Sequence, residues 1–172
     1  QVLTRLHKLK VLRMRRIGVE DIEPLNACTQ LDVVELTQCL RKVDFNRFDK
    51  PQPGTRSLDL EGSTIYTIAV LDSYFSLTYL NITKTEVHNL NGIEACKSLR
   101  SLVAGKNPIR SITPLSKCLN LRDLDIRCCE LLRGAGIIGE LESLERLDVS
   151  GLLGPNTLNV RRLVRLKWLC AI

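Results

Sequence analysis

The sequence predicts an α/β solenoid: short strands stacked side by side in one parallel sheet, each returned by a tight 3₁₀ or single helical turn. Three observations predict it. An anchor residue, leucine in all but one case, recurs at Leu9, Leu31, Thr55, Leu77, Leu99, Leu121, Leu144 and Leu166, at intervals of 22, 24, 22, 22, 22, 23 and 22 residues. A fixed period of this size is the mark of a repeat array in which each unit buries its apolar side only against its neighbours. Within a unit the first half alternates apolar and polar residues, as a half-buried strand does. The second half is apolar at every third residue instead.

With the anchor as position 1, the strand half is clearest in three units. Leu99, Leu102, Ala104, Asn107 and Ile109 occupy positions 1, 4, 6, 9 and 11. Leu77, Leu80, Ile82, Thr85 and Val87 repeat them, as do Leu121, Leu124, Ile126, Cys129 and Leu131. Successive strand residues point to opposite faces, so positions 4 and 6 are expected inside and 3, 5 and 7 outside. The return half runs Ile112, Leu115, Cys118, Leu121 in one unit and Ile22, Leu25, Cys28, Leu31 in another. It runs Ile68, Leu71, Tyr74, Leu77 and Leu90, Ile93, Cys96, Leu99 in two more. A period of three suits 3₁₀ turns, in which residues i and i+3 eclipse.

The strand pattern, L-x-x-L-x-L-x-x-N/C-x-L, resembles the leucine-rich repeat family. The unit length is similar to its short class of about 22 residues, found in a nuclear regulatory subunit of protein phosphatase 1. The resemblance covers residues 9–172, about seven and a half repeats. It implies a leucine-rich repeat horseshoe with a parallel concave β-sheet, 3₁₀ or helical turns on the convex side, and a role in protein binding.

Three units depart from the pattern. In 31–54 the return positions hold Arg41, Asp44, Arg47 and Lys50, while Val43, Phe45 and Phe48 lie out of phase before Pro51-Gln52-Pro53-Gly54. Two extra residues and two prolines predict a looped-out connection with the phenylalanines folded back as a plug. Such a loop is either a tolerated insertion or a functional one. Unit 121–143 carries one extra residue and a Gly134-Ala135-Gly136 segment, read as a local accommodation, and unit 144–165 has Leu152 and Gly154 at positions 9 and 11. Neither end of the array shows a polar cap over its core cross-section, so 1–172 is expected to be one repeat domain within a longer array, or to rely on separate capping segments or end-to-end association.

Composition narrows the function. The 172 residues hold 44% hydrophobic but only 4% aromatic residues, so aliphatic side chains must fill the core. No run of 18 apolar residues offers a membrane-spanning helix. The mixed, charged start offers no secretory signal. Cys28, Cys96 and Cys118 fall three residues before an anchor, and Cys39 and Cys129 fall at position 9. Five of seven cysteines thus read as core residues, only Cys128 and Cys170 face outward, and a reducing intracellular compartment, cytoplasmic or nuclear, is expected. The adjacent Cys128 and Cys129 point to opposite faces, there is no C-x-x-C, and His7 and His88 are the only histidines, so no metal site is expected. The sequence has no phosphate-binding glycine loop and no nucleophile elbow. With no triad to assemble either, the reading is a non-enzyme without cofactors. Asn81-Ile82-Thr83 matches a glycosylation acceptor but falls within a predicted strand, where it reads as accidental.

The outward strand positions give the candidate site. Position 5 reads Arg13, Glu35, Asp59, Asn81, Val103, Asp125, Asp148 and Cys170. Position 3 reads Val11, Val33, Ser57, Tyr79, Ser101, Asp123, Arg146 and Trp168, and position 7 adds Arg15, Thr37, Glu61, Thr83, Gly105, Arg127 and Ser150. The chain carries a net charge of +6, yet this face gathers Glu35, Asp59, Glu61, Asp123, Asp125 and Asp148. The reading is a docking face for another protein with a basic surface, with Tyr79, Asn81 and Trp168 among the contacts. Arg127 and Arg146 partly neutralise the column, and wet strand positions call for polar residues in any case. Basic residues cluster at the start (Lys8, Lys10, Arg13, Arg15, Arg16) and the end (Arg161, Arg162, Arg165, Lys167). The leading expectation is a scaffold or regulatory interaction module. A structural subunit of a nucleic-acid-associated complex and an extracellular receptor ectodomain are the alternatives.

Overall fold

A computed structural model describes residues 6–19, 21–39, 47–48, 54–153 and 158–172. These form one parallel sheet with strands in chain order. The strands are β1 (Val11–Arg15), β2 (Val33–Thr37), β3 (Ser57–Asp59), β4 (Tyr79–Asn81), β5 (Ser101–Val103), β6 (Asp123–Asp125), β7 (Arg146–Asp148) and β8 (Trp168–Cys170). The register is the one the repeat dictates: Arg13, Glu35, Asp59, Asn81, Val103, Asp125, Asp148 and Cys170 pair in sequence across all eight strands. A one-residue slip would carry the apolar set to the wet face, which fixes this pairing.

The core is a stack of leucine layers. Position 4 contributes Val34, Leu58, Leu80, Leu102, Leu124 and Leu147, all buried. Thr55, the one non-leucine anchor, is also buried, and its hydroxyl donates to the Leu31 carbonyl at 2.8 Å. The return halves are 3₁₀ turns at Glu23–Ala27, Ala69–Ser73, Ile93–Ala95, Thr113–Lys117 and Ala135–Glu140. Their three-residue apolar rhythm has a direct cause. Each N–H bonds the carbonyl three residues back, from Leu115 to Ile112, Cys118 to Leu115 and Leu121 to Cys118, so that one side chain per turn faces inward. Asp21, Thr67, Asn89 and Ser111 precede these turns at position 13. Each accepts a backbone N–H two residues on, at 3.0–3.3 Å, satisfying a donor that a short helix leaves free.

Two further columns hold successive units together. At position 8 the chain is left-handed in every unit described: Arg16, Gln38, Gly62, Lys84, Lys106, Cys128 and Gly151 have φ of 54–67°. This turn lets the position-8 N–H reach position 7 of the next unit, as Lys106 N to Arg127 O at 2.8 Å and Cys128 N to Ser150 O at 2.8 Å. At position 9 a small polar side chain reaches back one unit. Ser63 Oγ donates to Leu36 O at 2.7 Å, Asn107 Nδ2 to Ile82 O at 2.7 Å and Cys129 Sγ to Ala104 O at 3.4 Å. Thr85 and Cys39 at the same position bond carbonyls of their own units instead, Ile82 O at 2.9 Å and Thr37 O at 3.2 Å, and Ile17 and Leu152 stand there without a donor.

The structure corrects one expected core position. Leu131 is 43% exposed, and Leu132 is buried in its place. Arg133 N bonds Arg110 O just as Arg110 N bonds His88 O, so the extra residue of this unit falls between Cys129 and Leu132 and not in the glycine segment. Gly134, at φ 72°, instead replaces the side-chain cap at position 13. Cys128, expected to face outward, is half-buried in the left-handed turn. In unit 31–54, Phe48 is buried and meets the Tyr74 ring edge-on, with centroids 6.2 Å apart. This is the plug expected of that residue; Val43 and Phe45 lie outside the described residues. Arg47 turns outward and pairs with Glu23 at 2.5 Å.

The open sheet face as candidate functional site

Strand positions 3, 5 and 7 form one continuous face, and the structure divides it into two hollows. The first, about 330 Å³, is bounded by β1–β3 and lined by Arg13, Arg15, Glu35, Thr37, Asp59 and Glu61, among others. The second, about 420 Å³, lies over β5–β8 between Val103 and Trp168, with Asp123, Asp125, Arg127, Arg146 and Asp148 on its walls. The face thus brings Glu35, Asp59 and Glu61 together at one end, and Asp123, Asp125, Asp148 and Trp168 at the other. Tyr79 and Asn81, on β4, stand between the two groups.

The acidic column at position 5 has a structural cause that the sequence reading overlooked. Asp59, Asn81, Asp125 and Asp148 each accept the backbone N–H two residues on, at position 7, at 3.0–3.1 Å. These Asx turns close each strand as it bends into the left-handed position 8. The signal was present as a recurrent Asp or Asn at one position, a residue choice that turn chemistry demands and strand propensity disfavours. Asn81 is committed further: it is only 7% exposed, and its Nδ2 donates to Asp59 Oδ2 at 3.2 Å. Within the sequon Asn81-Ile82-Thr83 the acceptor amide is therefore buried and already bonded.

Ion pairs subtract from the charge this face can offer. Arg13 pairs with Glu35 at 2.9 Å, Arg146 with Asp123 at 2.7 Å and Arg127 with Asp125 at 3.4 Å. Such exposed pairs stabilise by only about 0–1 kcal/mol. Their effect here is to neutralise most of the second hollow. Asp59 and Glu61 have no basic partner within ion-pair distance among the described residues. Burial pushes the Asp59 carboxyl up, opposed by its bond from the Glu61 N–H and assisted by the charges of Glu61 and Glu35. Asp125 is also raised, by burial first. Tyr79 is raised by burial and then by the charge of Asp59. Trp168 is 48% exposed, an amphipathic ring at the rim of the less polar hollow.

Among the described residues no group of three or more His, Cys, Asp and Glu is placed to hold a metal ion. No helix among them is long and apolar enough to cross a membrane.

The sequence matches no known family profile and no curated protein. Solved structures do resemble the fold. An internalin (inlF) from Listeria monocytogenes superposes with a TM-score of 0.79 at 21% identity, over 97% of this chain and 49% of its own. An internalin C2 (inlC2) from the same organism gives 0.71 at 17%, over 99% of this chain and 84% of its own. The functional domain of InlJ, again from Listeria monocytogenes and described as including a cysteine ladder, gives 0.66 at 15%, over 95% and 39%. The chain spans about half the length of the first of these. Together with the parallel sheet and its 3₁₀ returns, these likenesses establish the leucine-rich-repeat solenoid fold.

Proposed function

We propose that this single leucine-rich-repeat domain is a non-catalytic interaction module that binds another protein on its concave sheet face, as a scaffold or regulatory subunit of the kind the phosphatase-regulator resemblance implies. The observation that carries the reading is the pair of hollows on one rigid sheet face, where Asp59 and Glu61 lack an ion-pair partner among the described residues and Trp168 stands half-exposed. A sheet whose register is held at every strand presents these groups with little further ordering on binding, which favours affinity. The expected partner carries a basic patch, and we place the complex inside the cell, where five core cysteines stay reduced.

The test is a quantitative pull-down with the Asp59→Asn, Asp125→Asn double variant. Asparagine keeps the Asx-turn acceptor, as Asn81 shows in β4, so the variant removes charge without removing the turn. Partner recovery should fall several-fold, and more at low salt than at high salt. Unchanged recovery at both ionic strengths would contradict the reading.

A further inference from the structure

The ion pairing on the open face makes its two hollows chemically unlike. In the first, Arg13 is taken up by Glu35, Asp59 and Glu61 have no ion-pair partner among the described residues, and Arg15 is the one further cation on the wall, so carboxylates outnumber the cations. Tyr79 follows on the adjacent β4, in register with Ser57 of β3. In the second hollow, Asp123 and Asp125 are matched by Arg146 and Arg127, Asp148 is 8% exposed and holds the Ser150 N–H and hydroxyl, and the surface that remains is set by Val103 and the Trp168 ring. One end is suited to a positive charge and the other to an apolar group.

From this we infer that the partner docks through a two-point segment: a lysine or arginine side chain seated against Asp59 and Glu61, and an apolar or aromatic side chain seated between Val103 and Trp168. The inference rests on the concave-face reading above and narrows it. Neighbouring strands lie about 4.8 Å apart. From β3 to the middle of the second hollow, between β6 and β7, is three to four strand steps, or roughly 17 Å. An extended chain advances about 3.3 Å per residue and alternates its side chains, so two side chains entering one face across this distance should stand four or six residues apart. The segment would run across the strands, from the β3 end toward β8. Glu35, Asp123 and Asp125 would then act as a neutralised surround and not as contacts.

The test is selection of a phage-displayed random dodecapeptide library on the intact domain, repeated on Asp59→Asn/Glu61→Gln, on Trp168→Ala and on Val103→Arg. The first two variants leave the sheet's turns in place, because the substituted amide still accepts the Glu61 N–H and Trp168 lies at the rim. The wild-type pool should pair Lys or Arg with Trp, Phe or Leu at a spacing of four or six residues. The doubly neutralised domain should lose the cation from its pool, Trp168→Ala should lose the apolar residue, and each should bind the wild-type peptides about ten-fold more weakly. A wild-type pool without this pairing, an unenriched pool included, overturns the inference, as does a pairing that persists on both variants. Val103→Arg separates the two levels. If it clears the pool while the pairing survives the other variants, the concave reading stands and the two-point inference falls. If it leaves the pool unchanged, the concave reading itself falls.

Discussion

The side-chain amide of Asn107 joins two repeats: its Nδ2 donates to Ile82 O in the preceding unit at 2.7 Å and to Ala104 O in its own at 2.9 Å, while its Oδ1 accepts the Thr85 hydroxyl at 2.8 Å. All of this happens in the interior, where Asn107 is 3% exposed. Replacing it with alanine would remove these bonds in the interior and leave Ala104 O with only the Cys129 thiol and Ile82 O with only the Thr85 hydroxyl. Asn107→Ala should therefore cost about 2 kcal/mol, more than an exposed hydrogen bond. Asn107→Cys, which can imitate the single back-bond of Cys129, should cost distinctly less. Urea unfolding followed by circular dichroism measures both, and equal losses would show that the reach across the boundary is unimportant.

The left-handed column gives a prediction of opposite sign. Lys106 holds φ 59°, a conformation that costs a residue with a Cβ about 1–2 kcal/mol. Glycine is free of that cost but loses about 0.5–1 kcal/mol more chain entropy on folding. Lys106→Gly should stabilise by about 0.5–1 kcal/mol, the difference between these terms. The units with Gly62 and Gly151 already use this solution. A lower urea midpoint for the variant would mean that the lysine side chain contributes something its exposed position does not reveal.

Thiol chemistry reports on the cysteine columns. Burial pushes Cys96 up to about 12 and Cys118 and Cys129 up to about 11, so these thiols stay protonated and inaccessible near neutral pH. Cys28 and Cys39 are buried as well, while Cys128 and Cys170 are half-buried. A chromogenic thiol reagent on the native protein at pH 8 should titrate Cys128 and Cys170 quickly. The other five should react only on unfolding, and mass spectrometry of the labelled peptides assigns them. Fast labelling of Cys96 or Cys118 would contradict the packing described.

Asp59 links the site to stability. Its folded-state carboxyl lies above the ordinary value of 3.8, with burial the foremost cause. An acid raised on folding is held more tightly protonated in the native state. Its contribution is therefore fully present below the unfolded value and is lost as pH rises through the folded one. Asp59→Asn removes this titration and keeps the turn. Relative to wild type the variant should gain stability at pH 7, and the gain should shrink as pH falls to 3. Parallel stability curves for the two proteins across that range would show that the carboxylate is well solvated.

How much of this was legible in the sequence follows from where the physics is periodic. The register of all eight strands was readable because Leu80, Leu102 and Leu124 can be buried together in only one alignment. Cys39 and Cys129 were readable as core residues because position 9 of the regular units holds a small residue able to donate inside the turn. The extra residue near Leu131 was misplaced because adjacent leucines, 131 and 132, satisfy the apolar pattern equally. Only the Arg133–Arg110 backbone pairing decides between them. The acidic face was legible as a pattern but not in its cause. Asp125 and Asp148 look like docking charges until the N–H bonds to Arg127 and Ser150 show them closing turns. The pairing of Asp123 with Arg146 depends on side-chain reach across strands, which a linear pattern does not encode.

The central claim is that the open strand face, and not the convex side, holds the partner. The direct measurement is the affinity of a recovered partner for two charge insertions, Val103→Arg in the middle of the sheet face and Leu119→Arg at a position on the return side that is 65% exposed. Both should leave the urea midpoint near that of wild type. Val103→Arg should weaken binding by at least about ten-fold, the loss expected from a buried unpaired charge, while Leu119→Arg leaves it unchanged. The reverse order, with Leu119→Arg abolishing binding and Val103→Arg without effect, would contradict the account.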